Sequence, residues 1–209
     1  MLTNPRIEEL LRNYGLAAAP PELSAKIAAY VELLIKWNRK IALTSVTDPE
    51  AIVRFHFGES LFAASRYNLE KSRLADVGTG GGFPGLPLAL AVPTLSVTLI
   101  ESNLKKCAFL AEILRELRIR NATIFSGRME SFRPTLEKFD FITARAFGQF
   151  DELRAWARVQ LSDRGHLVLW LGEEDAKEIS TKPTWSWGSP DLIPGSKRRY
   201  LLGGSPGKV

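Results

Sequence analysis

The feature that most constrains this chain is a glycine-rich segment, DVGTGGGFPG at 76–85, which lies between an apolar run and an apolar helical stretch. Glycine adopts backbone conformations that other residues avoid, so such a segment can turn sharply from a strand into a helix. Two glycine spacings overlap in it, Gly78-x-Gly80-x-Gly82 and Gly80-x-Gly82-x-x-Gly85. Either spacing lets the backbone approach a ligand at the start of a helix, where N–H groups are free. The segment therefore predicts an open parallel sheet with a ligand site at the ends of its strands.

From residue 71 onward, short apolar runs alternate with helical stretches. This alternation is typical of an α/β fold in which helices cover both faces of a mainly parallel sheet. Strands are predicted at 73–77, 96–101, 122–126, 139–144 and 165–171, and helices near 85–92, 104–118 and 151–161. A last strand is predicted within SKRRYLLGG, and we expect it to pair antiparallel because a proline- and glycine-rich connection precedes it.

The residues before this alternation have a helical pattern. Apolar residues recur along one side of it, at Leu23, Ile27, Val31, Leu34 and Ile35. A second helix start is predicted at Asp48 and Pro49, with Asp48 as the N-cap and Pro49 as the first helical residue. We therefore expect a helical cap over 1–70 and a single compact core over 71–209.

Composition sets the class of protein. The 28 Lys and Arg residues outnumber the 23 Asp and Glu residues, a mild bias toward polyanionic partners that has meaning only if the cations cluster. The single cysteine, Cys107, cannot form an internal disulfide, which favours a reducing cytoplasm. The start of the chain lacks a secretion signal, and the apolar run FPGLPLALAV is far shorter than the roughly 20 residues of a membrane span. We expect a cytoplasmic monomer with no membrane association and no bound metal.

The acidic residues near the glycine segment bear on which ligand it holds. Glu101 ends the second predicted strand, about 20 residues beyond the segment, where an acid can accept hydrogen bonds from both ribose hydroxyls. That feature is common to NAD and to other nucleoside cofactors. Asp76 lies directly before the turn, where a carboxylate suits a cationic ligand and repels a pyrophosphate, and Pro84 lacks an N–H that a phosphate would use. These residues favour S-adenosylmethionine over NAD, and a role for Asp76 in bracing the loop is the alternative.

Five segments, taken in order, resemble one family, the small-subunit (16S) ribosomal RNA guanine-N7 methyltransferases, also called glucose-inhibited division protein B. They are KWNRKIALTSVTDP (36–49), DVGTGGGFPG (76–85), LIESNLKKCAFL (99–110), GRMESF (127–132) and ITARAF (142–147). The first segment is the most specific, since other class I methyltransferases share the glycines but not this N-terminal sequence. The resemblance implies a class I, Rossmann-like methyltransferase with a seven-stranded, mainly parallel sheet and an N-terminal helical cap. It also implies methyl transfer from S-adenosylmethionine to N7 of a guanine.

The resemblance assigns further site residues. Gly78 and Phe83 would contact the cofactor, Met129 and Glu130 would frame its adenine, and Arg145 would face both cofactor and substrate. Together with the residues discussed above, the predicted cofactor site comprises Asp76, Gly78, Gly80, Gly82, Phe83, Glu101, Met129, Glu130 and Arg145.

Three residues that precede the glycine segment in the chain, Ala42, His56 and Glu59, are expected near the substrate. His56 matches a family position and is a candidate RNA contact, although a lone histidine on an apolar helix is equally expected in a core. The family usually has an asparagine where this chain has Ala42, and an aspartate where it has Glu59. Both departures fall near the expected substrate pocket.

The expected chemistry needs no general base, because N7 of guanine carries a lone pair and no proton. Alignment of the two reactants is the main demand, and Arg145 is the candidate catalytic residue because a guanidinium suits O6 of guanine. The alternative is that Arg145 only pairs with an acidic neighbour. The candidate RNA-binding cations are Lys105, Lys106, Arg128, Lys197 and Arg198. They belong to a larger set of cations that could follow an RNA backbone, which adds Arg115, Arg118, Arg120, Arg199 and Lys208. A noncatalytic RNA-binding or ribosome-assembly factor and an NAD-dependent oxidoreductase are the competing functions.

Overall fold

The computed structural model describes residues 2–15, 20, 22–133 and 137–207. Its helices are α1 (Asn4–Leu11), α2 (Leu23–Asn38), α3 (Pro49–Ile52), α4 (Glu59–Arg66), α5 (Gly85–Ala91), α6 (Leu104–Glu116), α7 (Phe150–Gln160) and α8 (Glu173–Ser180). Short 3-10 helices span Arg12–Tyr14 and Met129–Ser131, and a π-helical segment, Val53–Gly58, joins α3 to α4. Its strands are β1 (Arg73–Val77), β2 (Ser96–Glu101), β3 (Ala122–Ser126), β4 (Phe139–Arg145), β5 (Leu161–Gly172), β6 (Trp185–Trp187), β7 (Asp191–Leu192) and β8 (Arg199–Pro206).

The strands form one mainly parallel sheet in the order β3-β2-β1-β4-β5-β8-β6. Strands β3, β2, β1, β4 and β5 are parallel, and β8 pairs antiparallel with β5, as predicted from the connection before it. The described sheet has eight strands rather than the expected seven. The additional strand is β7, a two-residue strand that pairs with β8 on the edge opposite β5.

The N-terminal helices lie on the same face of the sheet as α5 and α6, which α2 contacts directly. The predicted N-cap is confirmed, since Oδ2 of Asp48 accepts a hydrogen bond of 2.7 Å from the backbone N–H of Ala51. Ile27 and Tyr30 of α2 are fully buried in the same apolar cluster as Leu74 of β1. The division into a cap and a core stays a prediction, because this cluster runs continuously across the expected boundary.

The opposite face of the sheet is covered by α7 and α8, whose buried residues include Leu153 and Ile179. Because β1, β2, β4 and β5 run in the same direction, their carboxyl ends meet at one edge of the sheet. The antiparallel β8 begins at that same edge, where Arg199 is opposite Gly172. Among the described helices, none combines the length and the apolar composition that crossing a membrane requires.

Candidate functional site

The glycine segment forms the turn from β1 into α5. Gly78, Gly80 and Gly82 have φ values of 67°, 58° and 88°, in the left-handed region that favours glycine. A Cβ atom on Gly82 would overlap the hydroxyl group of Tyr30, which donates a hydrogen bond of 2.7 Å to the carbonyl oxygen of Gly81. The turn is therefore fixed both by its own backbone and by α2 of the N-terminal region.

Asp76 lies beneath this turn and is fully buried. Its Oδ2 accepts hydrogen bonds from the Thr79 hydroxyl at 2.5 Å and from the Gly85 N–H at 2.9 Å, and its Oδ1 accepts one from the Thr143 hydroxyl at 2.9 Å. Burial raises its pKa to about 6, against the effect of these hydrogen bonds. These contacts favour the bracing role for Asp76, while a direct contact with a cationic ligand stays a prediction. The N–H that Asp76 binds belongs to Gly85, the first residue of α5. A pyrophosphate at the start of this helix would need that N–H group.

Glu101 lies at the carboxyl end of β2 and faces a cavity of about 220 Å³. Its Oε2 accepts a hydrogen bond of 3.0 Å from the N–H of Gly80, and its Oε1 accepts one of 2.8 Å from the N–H of Asn103. Each carboxylate oxygen can accept more than one hydrogen bond, so Glu101 keeps capacity for a ligand. Two backbone donors thus orient the predicted ribose-binding acid.

Several predicted residues line this cavity together with residues that were not predicted. Gly78, Glu101, Arg128, Met129 and Glu130 line it, the last three following β3. The residues missed by the sequence analysis are Val77, Ile100, Ser102, Gly127, Phe147 and Gln149. Phe147 could have been suspected from its place in ITARAF, because it follows the end of β4 and lies at the same edge of the sheet.

Phe83 and His56 lie on the other side of the glycine turn, among aromatic side chains of the N-terminal region. The Phe83 ring stacks between Tyr30 and His56, with centroid distances of 5.5 and 4.8 Å. The Nε2 atom of His56 is 2.6 Å from the Thr44 hydroxyl, and its buried Nδ1 has no partner within the described ranges. Burial, assisted by the charge of Arg145, lowers the pKa of His56 to about 3. His56 is therefore neutral near pH 7, and its contact with RNA stays a prediction.

The segment after α2 is held by a single amide side chain. Asn38 accepts hydrogen bonds from the N–H groups of Leu43 and Thr44 at 2.8 and 3.0 Å, and donates one of 2.8 Å to the carbonyl oxygen of Thr44. Thr44 in turn contacts His56, so this segment is linked through His56 to Phe83. Ala42 lies exposed within it.

Arg145 ends β4 and pairs with an acid, as the alternative interpretation of this residue required. Its Nη2 lies 3.4 Å from Oε2 of Glu59, which is only 1% exposed. Oε1 of Glu59 lies 2.7 Å from both Nε and Nη2 of Arg199. Glu59 differs from the residue expected of the family, and its contact with either arginine was not predicted.

Comparison with known proteins decides the family. A family model described as rRNA small subunit methyltransferase G matches residues 23–187. The chain is 38% identical over 190 residues to a "Ribosomal RNA small subunit methyltransferase G" of Pseudomonas putida (strain GB-1), covering 88% of this chain and 85% of that protein. This chain belongs to the rRNA small subunit methyltransferase G family. The family predicted from the five segments is thereby confirmed.

Solved structures agree with this family at the level of the fold. A putative O-methyltransferase from Klebsiella pneumoniae matches with a TM-score of 0.66 at 12% identity, covering 98% of this chain and 96% of that one. The O-methyltransferase TomG from Streptomyces achromogenes, solved in complex with SAM, matches with a TM-score of 0.61 at 14% identity, covering 99% and 100%. The class I methyltransferase fold is confirmed, with the correction to the number of strands given above.

In this member of the rRNA small subunit methyltransferase G family, the predicted RNA-binding cations lie on elements that reach the carboxyl edge of the sheet. Lys105 and Lys106 are in the first turn of α6, whose N–H groups are capped by Asn103. Lys197 and Arg198 precede β8 and are exposed, although Arg198 lies 3.5 Å from Glu173. Arg128, the last of these predicted cations, is also exposed. Lys208 is outside the described residues.

Proposed function

We propose that this protein transfers a methyl group from S-adenosylmethionine to N7 of a guanine in small-subunit (16S) ribosomal RNA. One observation carries the choice of cofactor. The cavity beside the glycine turn offers an anchored ribose acceptor, Glu101, while the first N–H of α5 is already bound by Asp76. This arrangement suits a nucleoside without a phosphate and disfavours a pyrophosphate. Membership in a methyltransferase family agrees with this choice and weighs against an NAD-dependent oxidoreductase.

The residues of the cavity fit the adenosine part of this cofactor. In the proposal Glu101 accepts from the ribose hydroxyls, and Ile100 and Met129 provide apolar surface for the adenine. Glu130 and Gly78 bound the same cavity, and the glycine turn allows the close approach of a ligand. When bound, S-adenosylmethionine supplies an electrophilic methyl group on its sulfonium centre.

On the acceptor side the protein has to align a base rather than remove a proton. N7 of guanine has a free lone pair, so no side chain needs to act as a general base. His56 suits this chemistry because it is neutral, and its low pKa makes it a poor proton acceptor near pH 7. Arg145 is the proposed catalytic residue. Its guanidinium would donate a hydrogen bond to the edge of the base, and the base would lie close to the glycine turn. A splayed-out base is required, since N7 has to approach the cofactor closely.

The proposed partner is ribosomal RNA, either as the assembled small subunit or as an assembly intermediate. The cations at the carboxyl edge support this proposal, because phosphate contacts supply much of the affinity for RNA. We further propose that the protein acts as a monomer in the cytoplasm, where such a substrate is made.

The test is methyl transfer to ribosomal RNA from cells that lack the protein. Purified protein is incubated with S-adenosylmethionine and small subunits, and the RNA is digested and analysed for N7-methylguanosine by mass spectrometry. We expect one methyl group per RNA. Binding of NADH without binding of S-adenosylmethionine would overturn the proposal. Cofactor binding without any methyl transfer would instead support the noncatalytic assembly factor.

The matched variants in this test are Gly80→Asp and Gly80→Ala. The N–H of Gly80 donates to Glu101, and a Cβ at Gly80 would meet only the carbonyl oxygen of Gly78, at 3.8 Å. Both variants bear the strain of a left-handed residue, about 1 kcal/mol, but only the aspartate adds a negative charge beside Glu101. We expect Gly80→Asp to lose cofactor binding and Gly80→Ala to weaken it by about tenfold or less. Unchanged affinity in Gly80→Asp would contradict the assignment of the glycine turn.

A further inference from the structure

Glu59 is the buried acid at the junction of the N-terminal helices with the sheet. Through Oε1 its carboxylate accepts a hydrogen bond of 2.7 Å from Nε of Arg199, and Nη2 of Arg199 lies 2.7 Å from the same oxygen. Its other oxygen, Oε2, lies 3.4 Å from Nη2 of Arg145. Its backbone carbonyl accepts a hydrogen bond of 2.7 Å from Nε1 of Trp170. Both the main chain and the side chain of Glu59 are therefore fixed.

Among the described residues, the acid that pairs with the guanidinium of Arg145 lies on one side of it. Nη2 of Arg145 faces Glu59, whereas its buried Nη1 has no hydrogen-bond partner in the part of the chain that the structure describes. The next residue, Ala146, has a φ of 54°, a strained conformation for a residue other than glycine. Such strain often occurs at functional sites. A buried donor without a partner is costly, so Nη1 is a group that a ligand could satisfy.

Arg199 reaches this site from the far end of the chain. Its guanidinium lies 5.0 Å from the centre of the Phe55 ring, on the π-helical segment that leads into Glu59. Two guanidinium groups near one another repel, and the single carboxylate between them offsets this repulsion. Removing that carboxylate would leave the mostly buried Arg145 with the charge of Asp76, whose influence on Arg145 is smaller than that of Glu59.

We propose that Glu59 is a positioning residue that holds Arg145, whose side chain is 19% exposed, so that its guanidinium can donate to O6 of the acceptor guanine. This inference rests on the proposed function. A donor on O6 leaves the neighbouring N7 lone pair free for the methyl group, which suits the expected chemistry. Glu59 itself does not touch the base in this proposal, because its two oxygens are directed at the arginines.

The length of the Glu59 side chain agrees with this role. Its two carboxylate oxygens reach Arg145 and Arg199 separately, and an aspartate has one methylene group fewer. An aspartate would keep the charge but shorten the reach. We therefore expect Glu59→Asp to retain part of the positioning and Glu59→Gln to lose most of it.

The experiment compares steady-state methyl transfer by the full-length protein with Glu59→Gln, Glu59→Asp and Glu50→Gln. Glu50 is the matched control, because its carboxylate also bridges two arginines, Arg6 and Arg54, but outside the site. We expect Glu59→Gln to lower kcat by about tenfold to a hundredfold through misplacement of Arg145. Glu59→Asp should recover at least a third of that loss on a logarithmic scale, and Glu50→Gln should match the wild type. The affinity for S-adenosylmethionine, measured by calorimetry, should change less than about threefold in all these variants. Retained affinity would show that each variant is folded.

A second measurement separates positioning from general support of the fold. If Glu59 acts through Arg145, then Glu59→Gln should have little further effect on kcat in an Arg145→Ala background, less than about twofold. Equal effects of Glu59→Gln in both backgrounds, or wild-type kcat in Glu59→Gln, would overturn the inference. So would a kcat for Glu59→Asp as low as that for Glu59→Gln. An inactive wild-type protein would overturn the proposed function itself, which is a different result.

Discussion

At the scale of single residues, Asp76 is an acid in an unusual electrostatic position, beneath the glycine turn. It is fully buried, and burial is the largest influence on its pKa, which rises from 3.8 to about 6. Hydrogen bonds from Thr79, Gly85 and Thr143 lower the pKa but do not restore its ordinary value. The glycine turn is thus built over a carboxylate that ionises close to neutral pH.

This position predicts how stability changes with pH. Between pH 3.8 and about 6 the folded protein binds a proton at Asp76 that the unfolded chain has released, so Asp76 contributes stability at low pH. That contribution is lost as the pH rises through 6 and amounts to about 3 kcal/mol in total. We expect the free energy of unfolding of the wild type, measured in urea relative to Asp76→Asn, to decrease between pH 4 and pH 7.

The wild type and Asp76→Asn share His56 and the other titrating groups. The contributions of these groups to the pH dependence therefore cancel to first order. The control is Ser65→Ala, which removes an exposed hydrogen bond to the carbonyl oxygen of Phe62 and no titratable group. Its difference from the wild type should be nearly constant over the same pH range. A constant difference for Asp76→Asn would contradict the assigned titration.

At the scale of elements, apolar runs predicted the parallel strands closely. The bounds of β1, β2 and β3 agree with the predicted ranges, because each is a short apolar run between polar turns. Strand β5 is longer than predicted, since its first residues, from Leu161, include polar side chains that continue the pairing with β4. Helix α8, with a charged first turn, and the very short β6 and β7 were missed because they have too few apolar residues to form a pattern.

The segment after α2 gives a prediction at the same scale. Asn38 makes three hydrogen bonds to backbone groups, and each contributes about 1 kcal/mol. Asn38→Ala should therefore lower the free energy of unfolding by about 1–3 kcal/mol and reduce methyl transfer, because Thr44, His56 and Phe83 are linked to this segment. Asn68→Ala removes a single exposed hydrogen bond to Glu70 and should do neither. Equal activities of Asn38→Ala and the wild type would show that the segment does not support the site.

At the scale of the whole molecule, local sequence predicts the site residues that lie on elements adjacent along the chain. It does not predict those brought together from distant segments. Glu101 could be predicted because it lies a fixed distance along the chain from the glycine turn. The contact of Glu59 with Arg199 could not, since 140 residues separate them and no local pattern records their proximity. The place of Phe147 after β4 could be anticipated from ITARAF, but its packing against Gly78 could not, because that packing depends on the pairing of β1 with β4.

The arrangement of cations over the whole molecule predicts how RNA binding responds to salt. Each phosphate that a lysine or arginine neutralises adds about 0.7–0.9 to the slope of log affinity against log salt concentration. If Lys105 and Lys106 contact phosphates, replacing both with glutamine should weaken binding to small-subunit RNA and reduce this slope by about 1–2. The measurement is filter binding over roughly 50 to 300 mM salt, where the effect is large. Lys71→Gln is the control, because Lys71 is exposed just before β1, at the opposite edge of the sheet from the cavity. A slope that changes equally in both variants would mean that the RNA does not follow the carboxyl edge of the sheet, and that the cations there only keep the protein in solution.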